Sequence, residues 1–99
     1  MKFNIPKPKE QILATARRVG YIPQRSAGFD EHVFVRPLAR GGYPRFHLYV
    51  KDHGEEWAFS LHLDQRQPTY GRHTAHSGEY DGELVEAETE RIKAILLVR

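Results

Sequence analysis

Two segments of this sequence alternate apolar and polar residues with a period of two, and only four residues separate them. The segments are RFHLYVK at 45–51 and EWAFSLHLD at 56–64, and DHGE lies between them. Such alternation is typical of a β-strand with one buried face. The short connection suits a two-residue turn, because its Gly accepts a positive φ without strain. The sequence therefore predicts an antiparallel hairpin.

Pairing Asp52 with Glu55 around a His53–Gly54 turn sets the predicted register of this hairpin. In that register every large apolar residue of the two strands falls on one side of the sheet, which is the condition for a buried face. The predicted apolar pairs are Val50 with Trp57, Leu48 with Phe59 and Phe46 with Leu61.

The flanking residues predict two helices and one more strand. Apolar residues at helical spacing follow Pro8 and stop before Gly20, and a second amphipathic helix is predicted from about 83 to 98, with Asp81 as its cap. HVFVR at 32–36 is rich in β-branched and aromatic residues and predicts a strand. We therefore expect an α+β fold of order αβββα, with a three-stranded antiparallel sheet and both helices on its apolar face.

The stretch 65–82 has no clear periodicity and is long for an irregular segment of a small domain. We expect it to be functional, to be mobile, or to contain a short strand such as 69–74. With 99 residues in total, the chain should form a single domain, 1–99.

The composition excludes several kinds of chemistry. The chain has no cysteine, so disulfides, thiolate metal sites and thiol nucleophiles are excluded, and any metal must be held by His, Asp or Glu. No segment has the length and hydropathy of a signal peptide or a membrane span. We therefore expect a cytoplasmic protein with no membrane partner.

The charge is unevenly distributed along the chain. Residues 1–51 contain ten Lys or Arg and three acids, whereas residues 52–99 contain five Lys or Arg and ten acids. A basic surface for phosphate groups would explain this asymmetry, and so would attraction between the two halves of one fold. The sequence leaves both explanations open.

The polar residues of the hairpin point away from the apolar side, and we call their side of the sheet the histidine face. On this face we expect His47 and His62 to be diagonal neighbours, about 7 Å apart at the backbone. Asp64 should point the same way as His62, because alternate residues of a strand share a face. The predicted histidine face consists of Arg45, His47, Tyr49 and Lys51 on one strand and Glu56, Ala58, Ser60, His62 and Asp64 on the other.

A divalent metal site is one interpretation of this face. His47, His62 and Asp64 would be ligands, and His76 or His73 would complete the site from the 65–82 loop. Imidazole and carboxylate ligands suit zinc, manganese or iron(II), and a site with an open position activates water for hydrolysis. The competing interpretation is a polar surface whose residues only hydrogen-bond to one another.

RNA binding by the same face is the interpretation that the sequence favours, because the charge asymmetry, the order of the elements and the basic and aromatic residues of this face agree. Phe34 is a further candidate for base stacking. A homodimer that covers the sheet face is a third possibility. The predicted nucleic-acid contacts are Arg36, Arg40, Arg45, His47 and Tyr49.

Two further catalytic mechanisms would use the same residues. His47 and His62 would serve as acid and base on a phosphodiester, as in a ribonuclease. Ser60, His62 and Asp64 contain the residue types of a serine triad, but alternate residues on one strand lie side by side and do not converge as a triad requires. Whether the protein is an enzyme therefore stays open at the level of sequence.

The segment SLHLDQRQPTYGRHTAHSGEYDGELVEAETERI, residues 60–92, resembles one in a family of small bacterial proteins without an assigned function. This resemblance implies a soluble, single-domain, bacterial protein and no particular activity. The αβββα order is also similar to the double-stranded-RNA-binding fold, which occurs in HicA-type messenger-RNA interferase toxins. Those toxins present a strand histidine, to which His47 or His62 would correspond, but this chain lacks their glycine-serine-histidine signature.

Overall fold

The central hairpin forms where the sequence predicts it. The protein is represented by a computed structural model that describes residues 1–26, 31–65, 78–79 and 82–97. The elements in chain order are β1 (Lys2–Pro6), α1 (Ile12–Arg18), β2 (Ile22–Ser26), β3 (Glu31–Pro37), β4 (Arg45–Asp52), β5 (Glu56–Asp64), β6 (Gly78–Glu79) and α2 (Glu83–Leu96).

The register of the β4–β5 hairpin differs by two residues from the predicted one. Gly54 and Glu55 form the centre of the turn, with Gly54 at a φ of 93°, and the backbone N–H of His53 donates to the carbonyl of Glu56. Gly54 N–H also donates to the carboxylate of Asp52 over 2.7 Å, a bond that lowers the pKa of Asp52. The observed apolar pairs are Val50 with Phe59, Leu48 with Leu61 and Phe46 with Leu63.

A shift of two residues leaves every side chain on its predicted face, because strand side chains alternate with a period of two. The buried and polar sides of the hairpin are therefore as expected. What changes is which residues lie directly opposite one another.

The sheet is larger than the predicted three strands. All of its pairings are antiparallel, and the five longer strands run in the order β1-β5-β4-β3-β2, with the two-residue β6 also pairing with β5. Strand β1 was not predicted because it is short and ends in Pro6, and β2 was not predicted because Pro23 interrupts its pattern. Both are edge strands of this path, a position in which Pro is tolerated.

Both helices contribute to a single hydrophobic cluster on one face of the sheet. The buried cluster contains the apolar residues of β4 and β5 together with residues from both helices. These are Ala16 in α1, Val19 at the C-terminal end of α1, and Val85 and Ile92 in α2. This confirms the expected α+β class with two helices against the apolar side. Leu61 on β5 is completely buried.

Helix α2 begins after Gly82, which has no side-chain capping bond. Glu83 and Glu86 lie in its first turn and Lys93 in its last. Their charges interact favourably with the helix dipole, which is positive at the N-terminus and negative at the C-terminus. The predicted cap Asp81 and the strand predicted at 69–74 lie outside the described residues. In the described part of the chain, no helix is both long and apolar enough to cross a membrane.

Candidate metal centre

The histidine face brings His47 and His62 directly opposite each other. The two residues are register partners on β4 and β5, and Arg45 and Asp64 are partners in the next row. The predicted diagonal arrangement was wrong because the turn is centred one residue later than expected. In the observed register the two imidazoles are closer than a diagonal arrangement would place them, with ring centroids 4.8 Å apart.

Asp64 lies between the two imidazoles and contacts both. Its Oδ2 is 3.1 Å from Nδ1 of His47, and its Oδ1 is 3.0 Å from Nε2 of His62. One ligand atom from each of the three residues can be chosen so that all lie within 4.8 Å of one another. The three side chains therefore converge on one part of the sheet surface, where a small movement of the side chains would bring the three ligand atoms to a shared cation.

The three side chains are largely shielded from water. His62 is only 8 % exposed, and the side chains of His47 and Asp64 are 13 % and 19 % exposed. Val35, a buried residue of β3, lies opposite His47 on the other side from β5. Within the described part of the chain, Nε2 of His47 is buried without a hydrogen-bond partner. Buried polar groups of this kind are costly unless they are bound to something.

Burial lowers the pKa of His62 below its ordinary value of 6.5, and the charge of His47 acts in the same direction. The neighbouring carboxylate of Asp64 opposes this shift. The lowered pKa favours the neutral form of the His62 imidazole at neutral pH. Neutral imidazole is the form that binds metal ions, because the coordinating nitrogen must offer a lone pair.

Arg45 and Tyr43 form the border of the site beyond Asp64. Nε of Arg45 is 3.4 Å from Oδ2 of Asp64, and the guanidinium lies over the Tyr43 ring at 4.6 Å from its centroid. Oδ2 is therefore shared by Arg45 and His47, whereas Oδ1 contacts Nε2 of His62. Hydrogen bonds of this kind orient a metal-binding carboxylate.

Tyr49 forms the opposite border of the site. Its ring stacks on His47 at a centroid distance of 4.8 Å and on His62 at 5.7 Å. The tyrosine thus shields both imidazoles and fixes their orientation. The sequence placed Tyr49 on this face as a nucleic-acid contact, and only the register shows that it also packs on the histidines.

The structure separates the predicted nucleic-acid contacts. Arg45, His47 and Tyr49 lie together on the histidine face, whereas Phe34 and Arg36 lie on the side of the helices. Phe34 belongs to the hydrophobic cluster, and Arg36 is paired with Glu88 of α2 at 3.3 Å. Arg40 is exposed in the connection between β3 and β4. Phe34 and Arg36 therefore do not lie on the histidine face, and their prediction as RNA contacts of that face was wrong.

Of the four predicted metal ligands, three come together and the fourth, His76, lies outside the described residues, as does His73. The serine-triad interpretation gains no support: Ser60 lies opposite Tyr49, two residues before His62 on the same strand. Sequence reasoning placed Arg45 on this face but missed its contact with Asp64. The correct hairpin register would have revealed that contact.

Comparison of the chain with family models, with curated proteins and with solved structures gives no match. The resemblance of residues 60–92 to a bacterial family therefore stays an expectation. The chemical interpretation of the site depends on its own geometry.

Proposed function

We propose that the protein binds a divalent transition metal ion, zinc by preference, at His47, His62 and Asp64, and uses it for hydrolysis. The observation that supports this proposal is the convergence of three ligand atoms within 4.8 Å of one another. Two imidazoles and one carboxylate are a ligand set found in catalytic zinc sites. The lowered pKa of His62 adds support, because it favours the neutral imidazole that binds a metal ion.

Three protein ligands leave a coordination position for water, and zinc in such a site lowers the pKa of the bound water to about 7. The protein's own residues would assist in two ways. Asp64, oriented by Arg45, would be the carboxylate ligand of the metal. Tyr49 and Val35 would keep bulk water from the imidazoles, which strengthens electrostatic interactions in the site.

Zinc titration of metal-free protein by calorimetry tests the binding. We expect about one zinc ion per chain and at least roughly tenfold weaker binding for His62→Gln and for Asp64→Asn. His53→Gln is the matched control, because His53 is exposed in the hairpin turn and should leave zinc binding unchanged. Circular dichroism of each variant shows whether it is folded. Absence of stoichiometric zinc in the folded wild type, or unchanged zinc affinity in folded Asp64→Asn, would contradict the proposal.

Hydrolysis of activated esters and phosphodiesters, measured with and without zinc, tests the activity. Zinc should restore activity to chelator-treated wild type but not to Asp64→Asn. Activity that persists in chelator would favour the metal-free alternative, in which His47 and His62 act as acid and base.

RNA binding by the histidine face stays a second proposal, and so does a homodimer that covers it. Arg45 and Tyr49 support RNA binding by their position on this face. Two observations reduce that support: Arg36 lies on the other face, and Arg45 is already paired with Asp64. For these reasons we place metal binding ahead of RNA binding.

A further inference from the structure

A second polar feature of the histidine face is a cleft of about 220 Å³ next to the candidate metal centre. Its floor includes Ala58 of β5, which lies between Asn4 on β1 and Lys51 on β4 in the register of the sheet. A methyl group between two longer side chains leaves a depression. The polar residues that line it are Lys2, Asn4, Glu31, Tyr49, Lys51 and Ser60.

Two lysines reach this cleft from strands on opposite sides of β5. Lys2 is the register partner of Ser60, and Lys51 is the partner of Ala58 in the neighbouring row. Adjacent strands are about 4.8 Å apart, so the backbones of β1 and β4 are separated by roughly 10 Å. The four-carbon stem of each lysine is long enough for both ammonium groups to meet one anion above β5.

Neither lysine is engaged elsewhere within the described residues. Lys7 and Lys93 form ion pairs with Asp52 and Glu90, but no ion pair of Lys2 or Lys51 occurs among the residues that the structure describes. Glu31 lies opposite Lys51 and offsets one of the two positive charges. The cleft therefore has a net positive charge of about one from its lining residues, together with amide and hydroxyl groups from Asn4 and Ser60.

Tyr49 connects the cleft to the candidate metal centre. It lines the cleft and also stacks on His47 and His62. Ser60 and Ala58 precede His62 on β5 by two and four residues, so the cleft begins about 7 Å from the metal ligands and extends to about 13 Å. One substrate could therefore occupy both sites, with its anionic group in the cleft and its reacting bond at the metal.

We propose that this cleft is an anion subsite that binds a phosphate group of the substrate, remote from the bond that is hydrolysed at His47, His62 and Asp64. The inference rests on the proposed metal-dependent function for its link to catalysis, but anion binding itself needs no metal. The cleft is smaller than the roughly 300 to 1,000 Å³ of typical ligand pockets, and therefore suits a single small group. Phosphate matches its two ammonium donors, which act as point charges, and its neutral hydrogen-bonding groups.

Titration of the metal-free protein with inorganic phosphate, followed by amide NMR, tests the subsite. We expect saturable shifts at Lys2, Lys51 and Ser60, and roughly fivefold weaker binding for Lys51→Gln and for Lys2→Gln, the effect of one charge at about 4 Å in water. Glu31→Gln should tighten binding by a similar factor, a gain that misfolding cannot produce. Lys9→Gln is the control, because Lys9 is exposed outside the cleft.

Unchanged phosphate affinity in Lys2→Gln, Lys51→Gln and Glu31→Gln would overturn the subsite. Failure of zinc binding with intact phosphate binding would overturn the metal-dependent function alone, since this titration contains no metal. Glycerol 3-phosphate and a short single-stranded RNA distinguish the sources of the phosphate group. Equal affinities for the two indicate a small phosphoester, and much tighter, lysine-dependent binding of RNA indicates a nucleic-acid strand.

Discussion

Tyr21 and Glu88 form a buried hydrogen bond in which the phenol donates to the carboxylate over 2.6 Å. Tyr21 is 1 % exposed and Glu88 is 4 % exposed. Burial raises the pKa of Tyr21 well above its ordinary value of 10.0, and the bond to Glu88 and its charge raise it further. The folded chain therefore holds this proton at a pH where the unfolded chain releases it.

The stability contributed by Tyr21 is complete below pH 10 and declines as the pH rises above 10, because the unfolded state then binds fewer protons than the folded state. We expect wild type to lose up to about 1.4 kcal/mol of unfolding free energy per pH unit above pH 10 from this group. Urea unfolding at a series of pH values measures the slope. Tyr21→Phe should lack this contribution, while the control Tyr43→Phe should retain it; equal slopes in wild type and Tyr21→Phe would contradict the argument.

At the scale of secondary-structure elements, Glu88 connects α2 to the rest of the fold. Arg91, one turn further along α2, donates from Nε to Oε1 of Glu88 over 2.7 Å and also donates to the carbonyl of Val19 at the end of α1. Arg36 reaches the same carboxylate from β3 at 3.3 Å. A single acid thus joins α2 to the end of α1, to Tyr21 and to the sheet.

Replacing Glu88 by Ala should be strongly destabilising, because it leaves the Tyr21 hydroxyl and the arginines without their shared partner. We expect a loss of about 1 to 3 kcal/mol in the free energy of unfolding, the usual cost of leaving a buried group such as the Tyr21 hydroxyl without its hydrogen-bond partner. Glu90→Ala on the same helix is the control: its side chain is 74 % exposed and 3.8 Å from Lys93, so its loss should be at most about 1 kcal/mol. Chemical denaturation compares the two, and similar losses would refute a connecting role for Glu88.

At the scale of the whole molecule, ion pairs connect the basic first half of the sequence to the acidic second half. Ion pairs join Lys7 to Asp52, Arg36 to Glu88 and Arg45 to Asp64. Each pair takes its base from the first half and its acid from the second. Part of the charge asymmetry therefore serves attraction between the halves, one of the two explanations that the sequence left open.

The hydrophobic cluster is also a property of the whole molecule, with Leu61 of the central hairpin at 0 % exposure. Leu61→Ala should cost about 2 to 5 kcal/mol, because it leaves a cavity that the surrounding strands and helices fill only in part. Leu84→Ala is the matched control, since Leu84 is 57 % exposed and should change stability by no more than about 0.5 kcal/mol. Thermal and urea unfolding would show this contrast, and equal effects would place Leu61 outside the core.

Local patterns in the sequence determined the two helices, the central strands and the faces of the hairpin residues. The alternation in 45–51 and 56–64 predicted both strands and placed His47 and His62 on the polar side, because the face of a strand residue depends only on whether its position is odd or even. The amphipathic pattern near the C-terminus predicted α2. These signals are local, so they can be read without the fold.

Only the tertiary structure decided the register of the hairpin, the strands β1 and β2, and the partners of the charged residues. DHGE accommodates a turn centred on His53–Gly54 or on Gly54–Glu55, and either choice buries the same apolar residues, so the pattern cannot distinguish them. Strand β1 forms because β5 offers an edge to it, a contact between residues fifty or more positions apart. The convergence of His47, His62 and Asp64 follows from the register, since opposition across strands is set by backbone pairing and not by the residues themselves.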